Sequence, residues 1–238
     1  MILLNSAFSS EAVSEALDIF KTEFPLAIWE TLYVTILSTA FAIVIGLPIG
    51  ILLVAGEKNG ILPIPKWLLQ TINIIINLLR SIPFLILMMM AIPLTRALIG
   101  TSVGTVASIV PLVIASFPFV ARLIESSLRE INPSIIETAQ SMGATPLQII
   151  TKVMIPESVP SLISNMTIAV TTILGYSAMS GIIGGGGLGK IAINYGYYRY
   201  KDLVMILAVI LLIILVQIFQ SVGTLLATKS DKRLKGKK

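Results

Sequence analysis

The sequence predicts an all-α polytopic membrane protein with about five transmembrane helices. Three observations carry that prediction. Of 238 residues, 55% are hydrophobic and only 12% charged, roughly half the charge of an ordinary soluble domain. Several stretches reach the roughly 20 mostly apolar residues that a helix needs to cross a hydrocarbon core. Six of the 17 basic residues fall in the last ten positions, Lys229 to Lys238, directly after an apolar stretch, which marks a cytoplasmic end.

Residues 1–26 hold one base, Lys21, against Glu11, Glu15, Asp18 and Glu23, so little retains this end in the cytoplasm. Val13, Leu17, Phe20 and Phe24 recur at helical spacing behind Ser10, a suitable N-cap. The segment reads as an extracytoplasmic amphipathic helix at the interface, or as a short packing helix.

The first crossing spans Ala27 to Ala55, is kinked by Pro48 and closes in the polar turn Glu57, Lys58, Asn59, Gly60. It begins too late and runs too long for a cleaved signal, so it reads as an anchor. The second, Trp67 to Thr95, carries Asn73, Asn77 and then Arg80, Ser81, Ile82, Pro83; it should break or bend there, because proline removes a backbone donor. The third, Thr101 to Leu128, contains Pro111 and Pro118 and ends in Arg122, Glu125, Arg129 and Glu130. The fourth, Val159 to Ser180, passes into the glycine run Gly181 to Gly189. The fifth, Leu203 to Leu226, is the most uniformly apolar and the one expected to face lipid.

Five crossings place the two ends on opposite sides. With the N-terminus outside, eleven bases lie inside (Lys58, Lys66, Arg122, Arg129, Lys152 and the six of the tail) and five outside (Lys21, Arg96, Lys190, Arg199, Lys201). The count favours N-out, C-in. The chain thus divides into an N-terminal segment, 1–26, a membrane domain, 27–228, and a basic cytoplasmic tail, 229–238.

No Cys and no His are present, which removes thiol nucleophiles, most transition-metal ligation and the commonest general base. No metal or cofactor is expected in this chain, and catalysis is not its task. The net charge of +5 arises from the tail rather than from a nucleic-acid surface. No crossing carries a buried Asp or Glu of the kind used in ion relays, and no inverted repeat is evident. Both points weigh against an ion-coupled carrier.

Between the third and fourth crossings, residues 132–156 are too polar to span and too well punctuated for disorder. They read as two short helices. Asn132 can cap the first with Pro133 in its first turn, and Gly143 can take the left-handed conformation that ends it. Thr145 opens the second with Pro146 at its first position and Gln148 three residues after the cap, the spacing of a capping box. Pro156 should stop it.

This loop resembles that of the permease family of ABC importers, whose signature reads Glu-Ala-Ala, three residues, Gly, nine residues, Ile-x-Leu-Pro. Glu137, Thr138, Ala139, Gly143, Val153, Ile155 and Pro156 fall on that spacing, with Thr138, Val153 and Ile155 as departures of similar size. Longer matches, among them WETL from Trp29, GLPIG from Gly46, RSIPF from Arg80, FPFVAR from Phe117, MGATP from Met142 and GYSAM from Gly175, narrow the resemblance to the methionine importers. The resemblance implies a type I ABC importer permease fold in a cell membrane and transport of D- or L-methionine by alternating access. It also implies two copies of this chain, two separate ABC ATPases on the cytoplasmic side and an extracytoplasmic methionine-binding protein. Glu137, Ala139, Gly143, Ala144, Thr145, Pro146 and Pro156 would then form the ATPase-coupling element. A permease for another amino acid or a small osmolyte would share this architecture.

Gly184 to Lys190 imitates glycine-rich nucleotide loops, but Ile191 stands where a P-loop needs Ser or Thr, and a membrane helix precedes it where both motifs need a strand. The run reads instead as a tight, mobile turn on the face that meets the binding protein. Arg80, deep in a crossing, is a substrate-carboxylate candidate or a structural group bonding carbonyls freed by Pro83. With Ser81, Tyr176, Ser177 and Met179 it makes up the candidate substrate path; ordinary helix packing is the competing reading of the last three. Glu30, Arg122 and Glu125 read as boundary residues or ion pairs.

Overall fold

The computed structural model describes residues 10–58 and 60–231. Residues 1–9, Asn59 of the predicted polar turn and the tail from 232 onward lie outside the described residues, with most of the predicted basic end.

Every regular element among the described residues is helical. Helix α1, Ser10–Thr22, includes the predicted cap Ser10 as its first residue and buries Ala16 and Ile19. Val13, Leu17 and Phe20 of the expected apolar stripe stay exposed, so the helix packs through its neighbouring face. Helix α2, Phe24–Ala55, runs continuously through Pro48.

The predicted break in the second crossing is present and sharper than a kink. Helix α3, Lys66–Ser81, ends where Ile82 turns extended (ψ 130°), the conformation that a following proline imposes. Helix α4, Phe84–Met90, departs at 107°. Four helices of the described residues are long and apolar enough to cross a membrane, and the count of five holds only if this bent pair forms one span. Helix α5, Ile92–Ile99, follows and ends at Gly100.

The third crossing, α6 (Ile109–Arg129), starts eight residues later than the Thr101 expected from hydropathy. Thr101–Ser108 forms a turn whose Gly104 N–H donates to the Gly184 carbonyl, an attachment no local pattern encodes. Helix α7 is Pro133–Ser141 and α8 is Pro146–Ile149.

Pro156 does not stop the helix that starts at Pro146. A π turn over Ile150–Met154 leads directly into α9, Ile155–Met179, and a 3₁₀ turn, Ser180–Ile183, completes one helical run of 38 residues. The wide turn, in which the Ile155 N–H reaches back to the Ile150 carbonyl, accommodates a proline that ordinary α geometry would oppose. A short helix α10, Gly187–Ile191, and a second π turn, Ala192–Tyr197, lead to α11, Asp202–Ser230, whose apolar surface is the least buried of the four long spans.

The chain groups into two compact units. One holds the residues up to Thr39, Phe84–Ile114 and Val170–Ile218; the other holds Ala40–Pro83, Ala115–Ala169 and Phe219 onward. Two buried clusters of described residues lie in the first. Ala16, Ile19, Phe24 and Ala27 gather with Leu188, Ile191, Val204 and Ala208, while Val34 and Met88 meet Ile109, Leu112 and Val113. In the second, Leu53, Ile76 and Ala121 bring α2, α3 and α6 together. There α2 crosses α6 so closely that a Cβ on Gly50 would lie 2.7 Å from the Ile124 side chain. Glycine is therefore the residue this crossing admits.

Candidate functional site

The predicted elbow forms as expected at every cap. The Asn132 side chain accepts from the Ser134 N–H, and Pro133 occupies the first turn of α7, where its missing donor costs nothing. Gly143 takes φ +77°, the left-handed turn out of the helix, and the Ala144 N–H donates to the Ala139 carbonyl. Thr145 and Gln148 close a full capping box: the Gln148 N–H donates to Thr145 Oγ1, and the Thr145 N–H donates to Gln148 Oε1.

These bonds hold α7, which buries no residue, whereas α8 is also seated by the buried Ile149. Glu137, Gly143, Thr145, Pro146 and Pro156 are exposed, and Ala139 and Ala144 half-buried. Beside them, Met142 is 82% and Leu147 70% exposed. The coupling candidates from Glu137 to Pro146 thus lie together on one capped, exposed and partly apolar segment. Pro156 stands apart from them, beyond the π turn in α9.

Arg122 and Glu125 resolve as ion pairs within a larger network. Arg122 Nη1 donates to Glu125 Oε2 at 2.6 Å, and Nη2 donates to Asn73 Oδ1 at 2.8 Å and Asn77 Oδ1 at 2.9 Å. Arg129 bonds the other oxygen of Glu125 at 2.9 Å and Glu57 at 2.6 Å. With only 11% of its side chain exposed, Glu125 is a buried acid within a crossing, contrary to the expectation that no crossing carries one, and these partners offset the cost of burying it. The network ties α3 and the turn after α2 to the end of α6, three residues before Asn132. Asn165 Nδ2 adds α9 by donating to the Leu123 carbonyl and to Ser127 Oγ.

The glycine run, expected as a tight, mobile turn, is a packed junction. Gly185, Gly186, Gly187 and Gly189 are buried, and Gly187 has φ +82°. Glu30 of α2, which the sequence suggested was a boundary residue or an ion-pair partner, sits at its centre and bonds neutral donors. Its Oε1 accepts from Thr105 Oγ1 at 2.7 Å, and its Oε2 accepts from the Gly187 N–H at 2.8 Å. The neighbouring Thr31 accepts from the Leu188 N–H at 2.9 Å. A Cβ on Gly186 would collide with both Thr105 and Glu30. The expected site residues did not include Glu30; the only sequence signal was a carboxylate inside an apolar helix, which is costly without partners.

The substrate-path candidates divide between the two units, Arg80 and Ser81 in one and Tyr176, Ser177 and Met179 in the other. Arg80 and Ser81 are exposed at the end of α3; Ser81 bonds its own helix, and Arg80 makes no hydrogen bond or ion pair among the described residues, so it does not satisfy carbonyls freed by Pro83. Ser177 is buried and donates to the Leu174 carbonyl, a structural bond. Met179 is exposed, and Tyr176 stacks on Phe84 with ring centroids 3.8 Å apart. Neither a polar cavity of about 440 Å³, which includes Ser127, Glu130, Glu157 and Asn165, nor an apolar one of about 250 Å³ between α9 and α11 is lined by any of the five.

A family model described as binding-protein-dependent transport system inner membrane component matches residues 46–232. The chain belongs to this permease family. The permease is 48% identical over 208 residues, 87% of its length and 92% of the relative's, to a probable D-methionine transport system permease protein, MetI, of Vibrio cholerae. It is 47% identical to the D-methionine transport system permease protein of Escherichia coli K12 over 154 residues, covering 65% of this chain and 70% of that one. In structure the permease matches an inward-facing conformation of the MetNI methionine ABC transporter with a TM-score of 0.86 and 44% identity, over 88% of this chain and 96% of that one. An amino acid ABC transporter at 19% identity shares the fold, with a TM-score of 0.73. The all-α, multi-pass ABC importer permease fold is therefore that of this chain.

Proposed function

We propose that the permease is the membrane subunit of an ATP-driven methionine importer in the cytoplasmic membrane, working as a homodimer with two ABC ATPases and an extracytoplasmic methionine-binding protein. The observation that carries this reading is the fully capped, exposed elbow, which bears the family spacing at Glu137, Ala139 and Gly143. The substrate follows from near-half identity to D-methionine permeases along most of the chain.

The orientation is N-out, C-in, with the elbow in the cytoplasm. Glu137, Ala139, Gly143, Ala144, Thr145 and Pro146 dock on the ATPase: the small residues permit close approach, Glu137 offers a carboxylate, and Met142 and Leu147 supply apolar area. ATP binding and hydrolysis on the partner move the paired elbows. The motion enters the membrane along the unbroken helical run from Pro146 to Ile183 and ends at the 3₁₀ turn and glycine run. Pro156 lies within this lever. Tyr176 and Met179, near its end, offer a polarizable surface to a thioether side chain.

The test is ATPase activity of the reconstituted complex with its binding protein and a panel of amino acids. Stimulation by methionine is expected; stimulation by arginine or glutamine but not by methionine contradicts the substrate assignment.

A further inference from the structure

We propose that Glu30 is the latch of the extracytoplasmic gate, a positioning residue that holds the outer side closed while the permease faces inward; this rests on the importer reading and the N-out orientation above. Three separate segments meet at its carboxylate: α2, the turn Thr101–Ser108 and the start of α10. The N–H groups of Gly187 and Leu188, in the first turn of α10, have no acceptor within their own helix, and Glu30 and Thr31 supply them. The Gly104 N–H to Gly184 carbonyl bond, 2.9 Å, joins the turn to the glycine run a second time.

One feature fits a releasable fastening: the elements beside the junction, the 3₁₀ turn Ser180–Ile183 and the π turn Ala192–Tyr197, are irregular helix of the kind found at hinges, while the bonded carboxylate adjoins a packed core in which Leu188 and Ile191 meet Phe24 and Ala27. The backbone also matches a transporter described as inward facing. Under alternating access the outer side is shut in that state, and on the proposed reading the bonded junction is the closed form. Methionine release from the binding protein requires it to open.

In the complex reconstituted with its ATPase and binding protein, Glu30→Ala is expected to raise ATPase activity in the absence of binding protein by about fivefold or more, because a charge-assisted bond no longer favours the shut gate. Stimulation by loaded binding protein should shrink accordingly. Thr105→Val, which removes one of the two bonds, should move both quantities the same way by less. Glu30→Gln should fall between wild type and Glu30→Ala, since its amide oxygen still accepts from Gly187 and the Thr105 hydroxyl can turn to accept from the amide, but without the charge. Because the chain contains no cysteine, Glu30→Cys with Thr105→Cys can be joined by a reducible methanethiosulfonate cross-linker. Linking the pair should abolish uptake, and reduction should restore it.

Basal activity unchanged in both Glu30→Ala and Thr105→Val, or uptake surviving the cross-link, overturns the latch. A wild-type complex without methionine-stimulated ATPase overturns the importer reading instead.

Discussion

At the scale of single residues, the elbow depends on local bonds whose loss can be calculated. Gly143 has open space around it, yet its φ of +77° strains any side chain, so Gly143→Ala should destabilise the elbow by about 1 kcal/mol without a steric clash. Thr145→Val removes the cap hydroxyl and should cost a similar amount, about 1 kcal/mol. Both effects should appear as faster amide hydrogen exchange across 133–149, with little change in melting temperature. Glu125 is different in kind. Glu125→Ala leaves the guanidinium groups of Arg122 and Arg129 without the carboxylate between them, and a loss of about 3 kcal/mol is expected, read as a lower melting temperature in detergent. The Arg129–Glu57 bond is nearly half exposed, so Glu57→Gln should change stability by less than about 1 kcal/mol.

At the scale of elements, what could be read from the sequence follows the range of the forces involved. The caps at Asn132, Gly143 and Thr145 act over two to four residues, and each occurs where its spacing placed it. The break before Pro83 is also local, since the proline ring fixes the backbone of Ile82. Pro156 shows the limit of that logic. The same ring chemistry stops one helix and not another, because here the π turn over Ile150–Met154 widens the helix just before it. Glu30 lay beyond the reach of any local pattern, with partners 75 and 157 residues away in the chain. The glycine run looked like a mobile turn for the same reason: composition shows permissive backbone, not the neighbours packed against it. For the substrate path no local pattern decides, because helices packed through small residues and helices lining a path share one composition.

An element-level consequence concerns the helical run from Pro146 to Ile183. If it transmits motion from the elbow, two consecutive glycines inserted between Met166 and Thr167 should leave ATPase association intact while reducing uptake by about tenfold or more, since flexible backbone in a helix interior weakens a lever. Equal uptake by that variant and the wild type would show that the motion travels by another route.

At the scale of the whole molecule, function rests on an asymmetry between two kinds of surface. The long helices expose apolar side chains along most of their length, as lipid requires, whereas the elbow is a capped, exposed protrusion bearing Glu137, Met142 and Leu147. Met142→Glu with Leu147→Glu, or Glu137→Arg alone, should leave membrane insertion intact and abolish copurification with the ATPase. The central claim is that this chain admits methionine at the expense of ATP. Uptake of labelled methionine into proteoliposomes containing the permease, its ATPase and its binding protein tests that claim most directly. Accumulation that requires internal ATP and survives ionophores is the predicted result; uptake that persists without ATP and collapses with the ion gradient would contradict it.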